Sequence, residues 1–174
     1  MNDFFESEHL KFRSFQMEDA HKLYENHLEE ELKQWIPNES YVDIEEAEDA
    51  IGFYMDCANK KELPFVLAIE SKETGELIGD TGANEVDGKD NEVEIGFSIC
   101  KRYSGNGYAT EAATAMTNYV ADAFGISILY GRVMKGNAAS CKVMEKAGYT
   151  FSHEERDAED DPYGKGMLIY RKVL

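Results

Sequence analysis

The sequence predicts a mixed α/β (α+β) fold, a central mixed β-sheet flanked by helices. Three observations predict it. Residues 92–99 alternate, with Val93, Ile95, Phe97 and Ile99 on one face and Glu92, Glu94, Gly96 and Ser98 on the other, the pattern of a strand. Residues 107–124 instead place Ala109, Ala112, Ala113, Met116, Tyr119, Val120 and Ala123 at helical spacing. Segments of these two kinds interleave along the chain in the order βααβββαβαββ, which calls for one sheet with helices on its faces.

The elements follow in turn. Residues 9–15 alternate around Leu10, Phe12 and Phe15 and read as the first strand. Residues 17–35 have helical spacing at Leu23, Leu28 and Leu32 and stop before Pro37. Residues 44–60 form a second helix, apolar at Ala47, Ile51, Tyr54 and Met55, with an acidic first turn that suits the helix dipole. Residues 64–70 are a strand, and the Thr74-Gly75 turn leads to another from about Glu76. The Asp87-Gly88-Lys89-Asp90-Asn91 loop makes a hairpin into 92–99. Gly125 ends the 107–124 helix in a left-handed cap. A strand over 128–134, a short helix from Asn137 to Ala147 stopped by Gly148, and strands over 149–153 and 167–173 complete the chain. Between the last two strands lies an acidic loop, 157–161.

With 174 residues, no Pro-, Gly- or Ser-rich linker and no repeat, residues 1–174 are expected to form one domain. A hydrophobic fraction of 43% argues against disorder, even at a net charge of -17. With 18 Lys plus Arg against 35 Asp plus Glu, a nucleic-acid partner is not expected. The longest apolar run, 64–69, is far short of a membrane span. The start, Met1 to Glu6, lacks the basic and apolar regions of a signal peptide. The three cysteines, Cys57, Cys100 and Cys141, form no paired motif. They fit a reducing compartment, so a cytoplasmic location is expected, with a homodimer left open. No histidine pair has zinc-ligand spacing, and 83–94 begins with Ala83 where a calcium loop needs a carboxylate, so no metal is expected.

The charge is uneven. Residues 1–62 carry -11, 63–100 carry -7, 101–150 carry +3 and 151–174 carry -2. A cationic segment inside an acidic chain suits an anionic ligand. That segment opens on Arg102-Tyr103-Ser104-Gly105-Asn106-Gly107-Tyr108-Ala109-Thr110-Glu111, a Gly-rich turn from strand to helix. Such a turn lets the backbone approach a ligand and offers unpaired N–H groups to phosphate. A dinucleotide fingerprint fails here, because Thr110 stands in the third glycine position and Arg132 occupies the following strand where an acid is needed. A P-loop fails too, because Asn137-Ala138 follow the glycine spacing of 131–136.

The string R-x-x-G-x-G-Y-A-T-E-A from Arg102, followed by N-x-x-S-x-x-V-x-E-K-x-G-Y from Asn137, resembles the GNAT superfamily of acyl-CoA-dependent N-acetyltransferases. Within it the chain looks most like the RimJ/RimL-like, ribosomal-protein N-terminal acetyltransferase branch. The resemblance extends to Leu10 to Ala20, Trp35-Ile36-Pro37, the 94–97 strand and the closing strands. It implies a fold whose central sheet has two splayed parallel strands, here 92–99 and 128–134, with acetyl-CoA between them. It further implies that Phe97, Ser98 and Ile99 pair with the pantetheine arm. The pyrophosphate is held by amides of Arg102, Tyr103, Ser104, Gly105, Asn106 and Gly107, with Ala109 and Thr110 at the helix start. Asn137 and Ser140 approach the cofactor from the next helix.

Transfer of an acetyl group to an amine, through a tetrahedral intermediate, needs a base, an oxyanion donor and a proton for the leaving thiolate. Glu94, mid-strand among apolar neighbours and beside Gly96, is the expected base. A backbone N–H near Ser98 is the expected oxyanion donor. Many GNAT enzymes have a tyrosine acid seven residues after the motif asparagine, but that position is Met144, which has no proton to give. The resemblance to the ribosomal-protein branch points to Ser140 instead. Tyr149 reads as packing after a glycine cap, and Lys142 and Lys146 either meet phosphate or stay solvated. Acidic residues of the first two helices (Glu29, Glu30, Glu31, Glu45, Glu46, Glu48, Asp49) and of the closing loop (Asp157, Glu159, Asp160, Asp161) suggest a cationic acceptor. The candidates are a basic protein N-terminus, a polyamine or an aminoglycoside. A non-catalytic acetyl-CoA-binding module is the alternative.

Overall fold

The computed structural model describes residues 3–174. Met1 and Asn2, where the reading of a leaderless start begins, lie outside the described residues. Among the described residues eight strands form one mixed sheet in the order β1-β2-β3-β4-β5-β6-β8-β7. The strands are β1 (Asp3–Glu6), β2 (Leu10–Arg13), β3 (Phe65–Ser71), β4 (Leu77–Val86), β5 (Lys89–Ile99), β6 (Ile128–Met134), β7 (Thr150–Glu155) and β8 (Met167–Val173). The helices are α1 (Ala20–His27), α2 (Glu30–Trp35), α3 (Ile44–Lys60), α4 (Tyr108–Phe124) and α5 (Ala138–Lys146). Among the described residues only β5 and β6 run parallel, and every other neighbouring pair is antiparallel.

The expected alternation of elements holds, with two changes. A strand, β1, precedes the predicted first strand, which is trimmed to Leu10–Arg13. The four residues of β1 are too few for a periodic signal. Their place is set by packing, because Phe5 stacks between Phe12 at 4.4 Å and Tyr119 at 4.5 Å. Second, the continuous helix expected over 17–35 is broken into a 3-10 turn at Met17–Asp19, α1 and α2. The break at Glu29 (φ -60°, ψ 139°) involves neither Pro nor Gly. A tertiary contact is made there: the Glu29 carboxylate accepts a hydrogen bond from the Lys101 N–H, 2.9 Å away, and ties the break to the end of β5.

The core on one face of the sheet packs α4 against β2–β6 through Phe12, Phe65, Leu67, Val93, Ile95, Met116, Val120 and Leu129, all nearly inaccessible to water. On the opposite face α1 and α3 cover Ala68 through Leu23 and Ile51. The hairpin β4–β5 pairs Asp80 with Ser98, Gly82 with Gly96 and Asn84 with Glu94, so these six residues share that second face. Two glycines there leave a floor without side chains.

β5 and β6 pair only from Glu92↔Ile128 to Ile95↔Gly131. Beyond that, residues 96–99 stay with β4 and residues 132–134 stay with β8. The two parallel strands therefore fork, and the polar backbone facing into the fork lacks a strand partner. Among the described residues no helix is long and apolar enough to cross a membrane.

Candidate active site

Three cavities meet at the fork. The largest, about 480 Å³, runs from Phe97, Ser98 and Ile99 along Tyr103, Ser104, Gly105 and Gly107 to Tyr108, Ala109 and Thr110, with Asn137, Ser140, Lys142 and Lys146 opposite. Gly107 caps α4 at φ 78°, a left-handed conformation that suits glycine. The helix opens there with no side-chain cap, so its first-turn N–H groups face the cavity without intrahelical partners. The Ser98 hydroxyl is buried and has no hydrogen-bond partner among the described residues. A forked backbone, an open helix start and two lysines suit an extended ligand with anionic phosphates.

Of the residues expected around this ligand, Arg102 and Asn106 alone do not line the cavity. The Arg102 guanidinium pairs with Glu76 at 3.3 Å, and Tyr103 also donates to Glu76. The Asn106 amide closes its own turn on the carbonyls of Tyr103 and Ser104. Of the cationic segment 101–150, Lys142 and Lys146 bring positive charge to the cavity, whereas Lys101 and Arg102 do not line it. Composition placed both pairs in one cationic segment, and only the fold separates them.

A second cavity of about 130 Å³ passes through the fork, lined by Glu94, Gly96, Phe97, Arg132, Asn137, Ser140 and Met144. It shares Trp35, Ile36, Phe97, Asn137 and Ser140 with the first. Glu94 is about one-third exposed. Burial lifts its carboxyl above the ordinary range, and Asp160 and Glu155 add to the rise; Arg132, at 3.8 Å, opposes it. A carboxylate so placed is a competent proton acceptor.

Asn137 and Ser140 hold each other. The Ser140 N–H donates to Asn137 Oδ1 at 3.3 Å, which caps α5, and Asn137 Nδ2 donates to Ser140 Oγ at 3.0 Å. The amide fills one acceptor site on the hydroxyl, and Ser140 lines both cavities. Met144 is buried and lies over Gly131, where an added Cβ would sit 2.1 Å from its sulfur. The Tyr149 hydroxyl is committed elsewhere. Thr117 gives its proton to the Ala113 carbonyl, so Tyr149 donates to Thr117 Oγ1 at 2.7 Å.

The third cavity, about 290 Å³, opens on the α1/α3 side and shares Glu39, Gly96 and Phe97 with the second. Tyr41, Phe53 and Tyr54 wall it, and Asp80 and His27 lie at its base. Burial disfavours a charged His27, but the Asp80 carboxylate at 2.7 Å outweighs this and holds the imidazole above its ordinary value. Crowding by the surrounding protein, then the charges of Asp80, Glu94 and Asp160, raise Glu39. Water still reaches that group, so solvent screening tempers the rise.

The acidic residues lining the three cavities are thus Glu31, Glu39, Asp80, Glu94 and Asp160. This corrects the rim expected from sequence, of which only Glu31 and Asp160 line a cavity. Glu29 caps Lys101, Glu46 accepts from the Val42 N–H, and Asp161 accepts from the Lys165 and Gly166 N–H groups. Asp80 and Glu39 lay in segments whose sequence showed no motif. Register alone brings Asp80 beside Ser98.

Comparison with known proteins accords with this architecture. The chain is 26% identical over 163 residues to the uncharacterized N-acetyltransferase p20 of Bacillus licheniformis, covering 94% of this chain and 89% of that protein. The structure superposes on a GNAT-family acetyltransferase from Bacillus anthracis with a TM-score of 0.84 at 20% identity, covering 98% of each chain. It superposes on RimL, a ribosomal L7/L12 α-N-protein acetyltransferase solved with coenzyme A, with a TM-score of 0.81 at 17% identity, covering 97% of this chain and 96% of that one. With residues 9–150 matching the acetyltransferase (GNAT) domain, and with the forked parallel pair in place, the chain belongs to the GNAT acetyltransferase family.

Proposed function

We propose that this protein moves an acetyl group from acetyl-CoA to a primary amine on a cationic acceptor. The observation that carries the reading is the meeting of the cavities: Glu94 and Ser140 line the small cavity that joins the large phosphate-suited one to an acidic, aromatic one. The large cavity fits acetyl-CoA, with Phe97, Ser98 and Ile99 along the arm, residues 103–110 around the pyrophosphate, and Lys142 and Lys146 as counter-charges. RimL, of the same fold, was solved with coenzyme A. Acetyl-CoA supplies the acetyl group as a thioester. An alkyl ammonium has a pKa near 10, so it must lose a proton to attack. Glu94 takes that proton, directly or through water. A backbone N–H near Ser98 holds the developing negative charge. Ser140, oriented by Asn137, gives its hydroxyl proton as a hydrogen bond to the departing sulfur, the role that Met144 cannot fill.

Glu39, Asp80, Glu94 and Asp160 outnumber the cations His27 and Arg132 around the two acceptor-side cavities, which favours a positively charged acceptor. Basic peptides with a free N-terminus, polyamines and aminoglycosides are the acceptors to screen, by thiol release from acetyl-CoA. Turnover with at least one class, weakening as salt is added, is expected. Tight acetyl-CoA binding with no turnover across the panel would favour a binding module instead. A salt-independent kcat/KM would remove the electrostatic reading of the acceptor side.

A further inference from the structure

Arg132 is the first β6 residue beyond the last β5–β6 pair, so its side chain rises at the point of the fork, on the face of Glu94. It grips the loop between β7 and β8 in two-pronged fashion: Nε and Nη2 each lie 2.8 Å from a different oxygen of Asp160. Nη1 donates to Glu155 at 2.7 Å, and Nε lies 3.8 Å from Glu94. The loop so held touches the segment that roofs the cleft. The Asn38 amide donates to the Glu159 carbonyl at 2.9 Å, and Lys165 Nζ stands 5.1 Å above the ring of Trp35. One guanidinium therefore joins the base, the closing loop and, through that loop, the roof.

We infer that Arg132 is a positioning residue for acetyl transfer, one that orients Glu94 and holds the β7–β8 loop against the roof of the acceptor side. The inference rests on the acetyltransferase reading above. The unequal distances carry it. A guanidinium locked in two-pronged contact with Glu94 would keep that carboxylate charged and make it a poor proton acceptor. Here the strong contacts go to Asp160 and Glu155, and Glu94 receives the long third one, enough to orient it and too little to quench it. The other charged groups near Glu94 are Glu155 from β7, Asp160 from the loop and Glu39 from the turn after α2, all carboxylates. Among the described residues Arg132 is the cation that opposes them at Glu94 itself; His27 faces Glu39, and His153 lies 3.5 Å from Glu155. Lysine cannot copy the arrangement, because it lacks the planar fork.

The test uses Arg132→Gln, Arg132→Lys and Asp160→Asn in the full chain, each checked for a wild-type melting profile. With Arg132→Gln, the acidic limb of kcat/KM against pH should move upward, and the acceptor KM should rise about tenfold or more. The Kd for acetyl-CoA should stay within about twofold of wild type. Arg132→Lys should return the limb toward its wild-type position while the acceptor KM stays raised. Asp160→Asn should move the limb downward, because it removes a carboxylate that raises Glu94 and frees the guanidinium toward it, and should change the emission of Trp35, the one tryptophan, as the loop loosens. An unmoved limb in a folded Arg132→Gln protein overturns the inference, as does a parallel rise in the Kd for acetyl-CoA. If wild type acetylates no amine at all, the enzymatic reading fails first. If wild type is active and the limb stays put, only the role of Arg132 fails.

Discussion

Replacing Glu94 with Gln separates chemistry from folding at this site. The substitution keeps the side chain's shape and removes its capacity to take a proton. A positioned general base contributes roughly 10²- to 10⁴-fold, so kcat/KM should fall by about that factor, or ~2.7–5.4 kcal/mol of transition-state stabilisation. Stability should barely change. The Arg132 contact to Glu94 is the longest it makes, at 3.8 Å, and the guanidinium keeps Asp160 and Glu155 at 2.8 and 2.7 Å. The lost pair is thus worth at most ~1 kcal/mol, which at this chain length shifts Tm by no more than ~4 °C. Because burial raises the carboxyl, the folded protein holds the Glu94 proton to higher pH than the unfolded chain does. Wild type therefore loses a small component of stability as pH rises from about 4.5 through the raised folded value, and the variant should lack that component. Thiol release from acetyl-CoA with the best acceptor, followed against pH beside thermal melts, gives both readouts. Full activity in a folded variant refutes Glu94 as the base. Lost activity with Tm lowered by 10 °C or more refutes the claim that its role is chemical.

Ser140→Ala should slow turnover at unchanged Kd for acetyl-CoA, and a melt should show at most ~1–2 kcal/mol lost, because Asn137 still caps α5; a turnover rate equal to wild type removes Ser140 as the donor. Replacing both Lys142 and Lys146 with Gln should weaken acetyl-CoA about tenfold by calorimetry, from up to ~1 kcal/mol per lysine, and flatten its salt dependence. Gly131→Ala puts a Cβ against the Met144 sulfur and should cost ~1–3 kcal/mol in denaturant titrations, whereas a neutral result means that Met144 moves aside freely. The His27–Asp80 pair raises the imidazole, so its stabilisation is complete below about pH 6.5 and is lost as pH rises through the folded value; His27→Gln should abolish that slope in melts taken from pH 6 to 9.

Much of the site was legible in the sequence because it is built from local chain. The turn 102–110 and the Asn137–Ser140 cap each lie within one strand-to-helix or turn-to-helix junction, so spacing alone aligns their groups. The alternation of 92–99 likewise placed Glu94, Gly96 and Ser98 on one face, and the β4–β5 register agrees. The acceptor side was not legible. Glu39, Asp80 and His27 come from the turn after α2, from β4 and from α1, and their meeting at one cavity depends on how the first helices fold back over the sheet. The contact at the Glu29 break was equally hidden, since its partner, Lys101, lies 72 residues away.

Local periodicity and capping residues by themselves determined the α/β alternation and the strand and helix that frame the phosphate-suited turn; the family was indicated by the resemblance that the strings from Arg102 and Asn137 bear to it. These depend on backbone preferences and on side chains a few positions apart. Charge counts located a cationic stretch but not its duties. The tertiary structure decided which cations face the large cavity, which acids line the acceptor side, and that Arg132 serves three carboxylates at once. The physical reason is that electrostatic and hydrogen-bonding partners are chosen over a few ångströms of space, and only the sheet register and the packing of helices on it bring distant segments within that range.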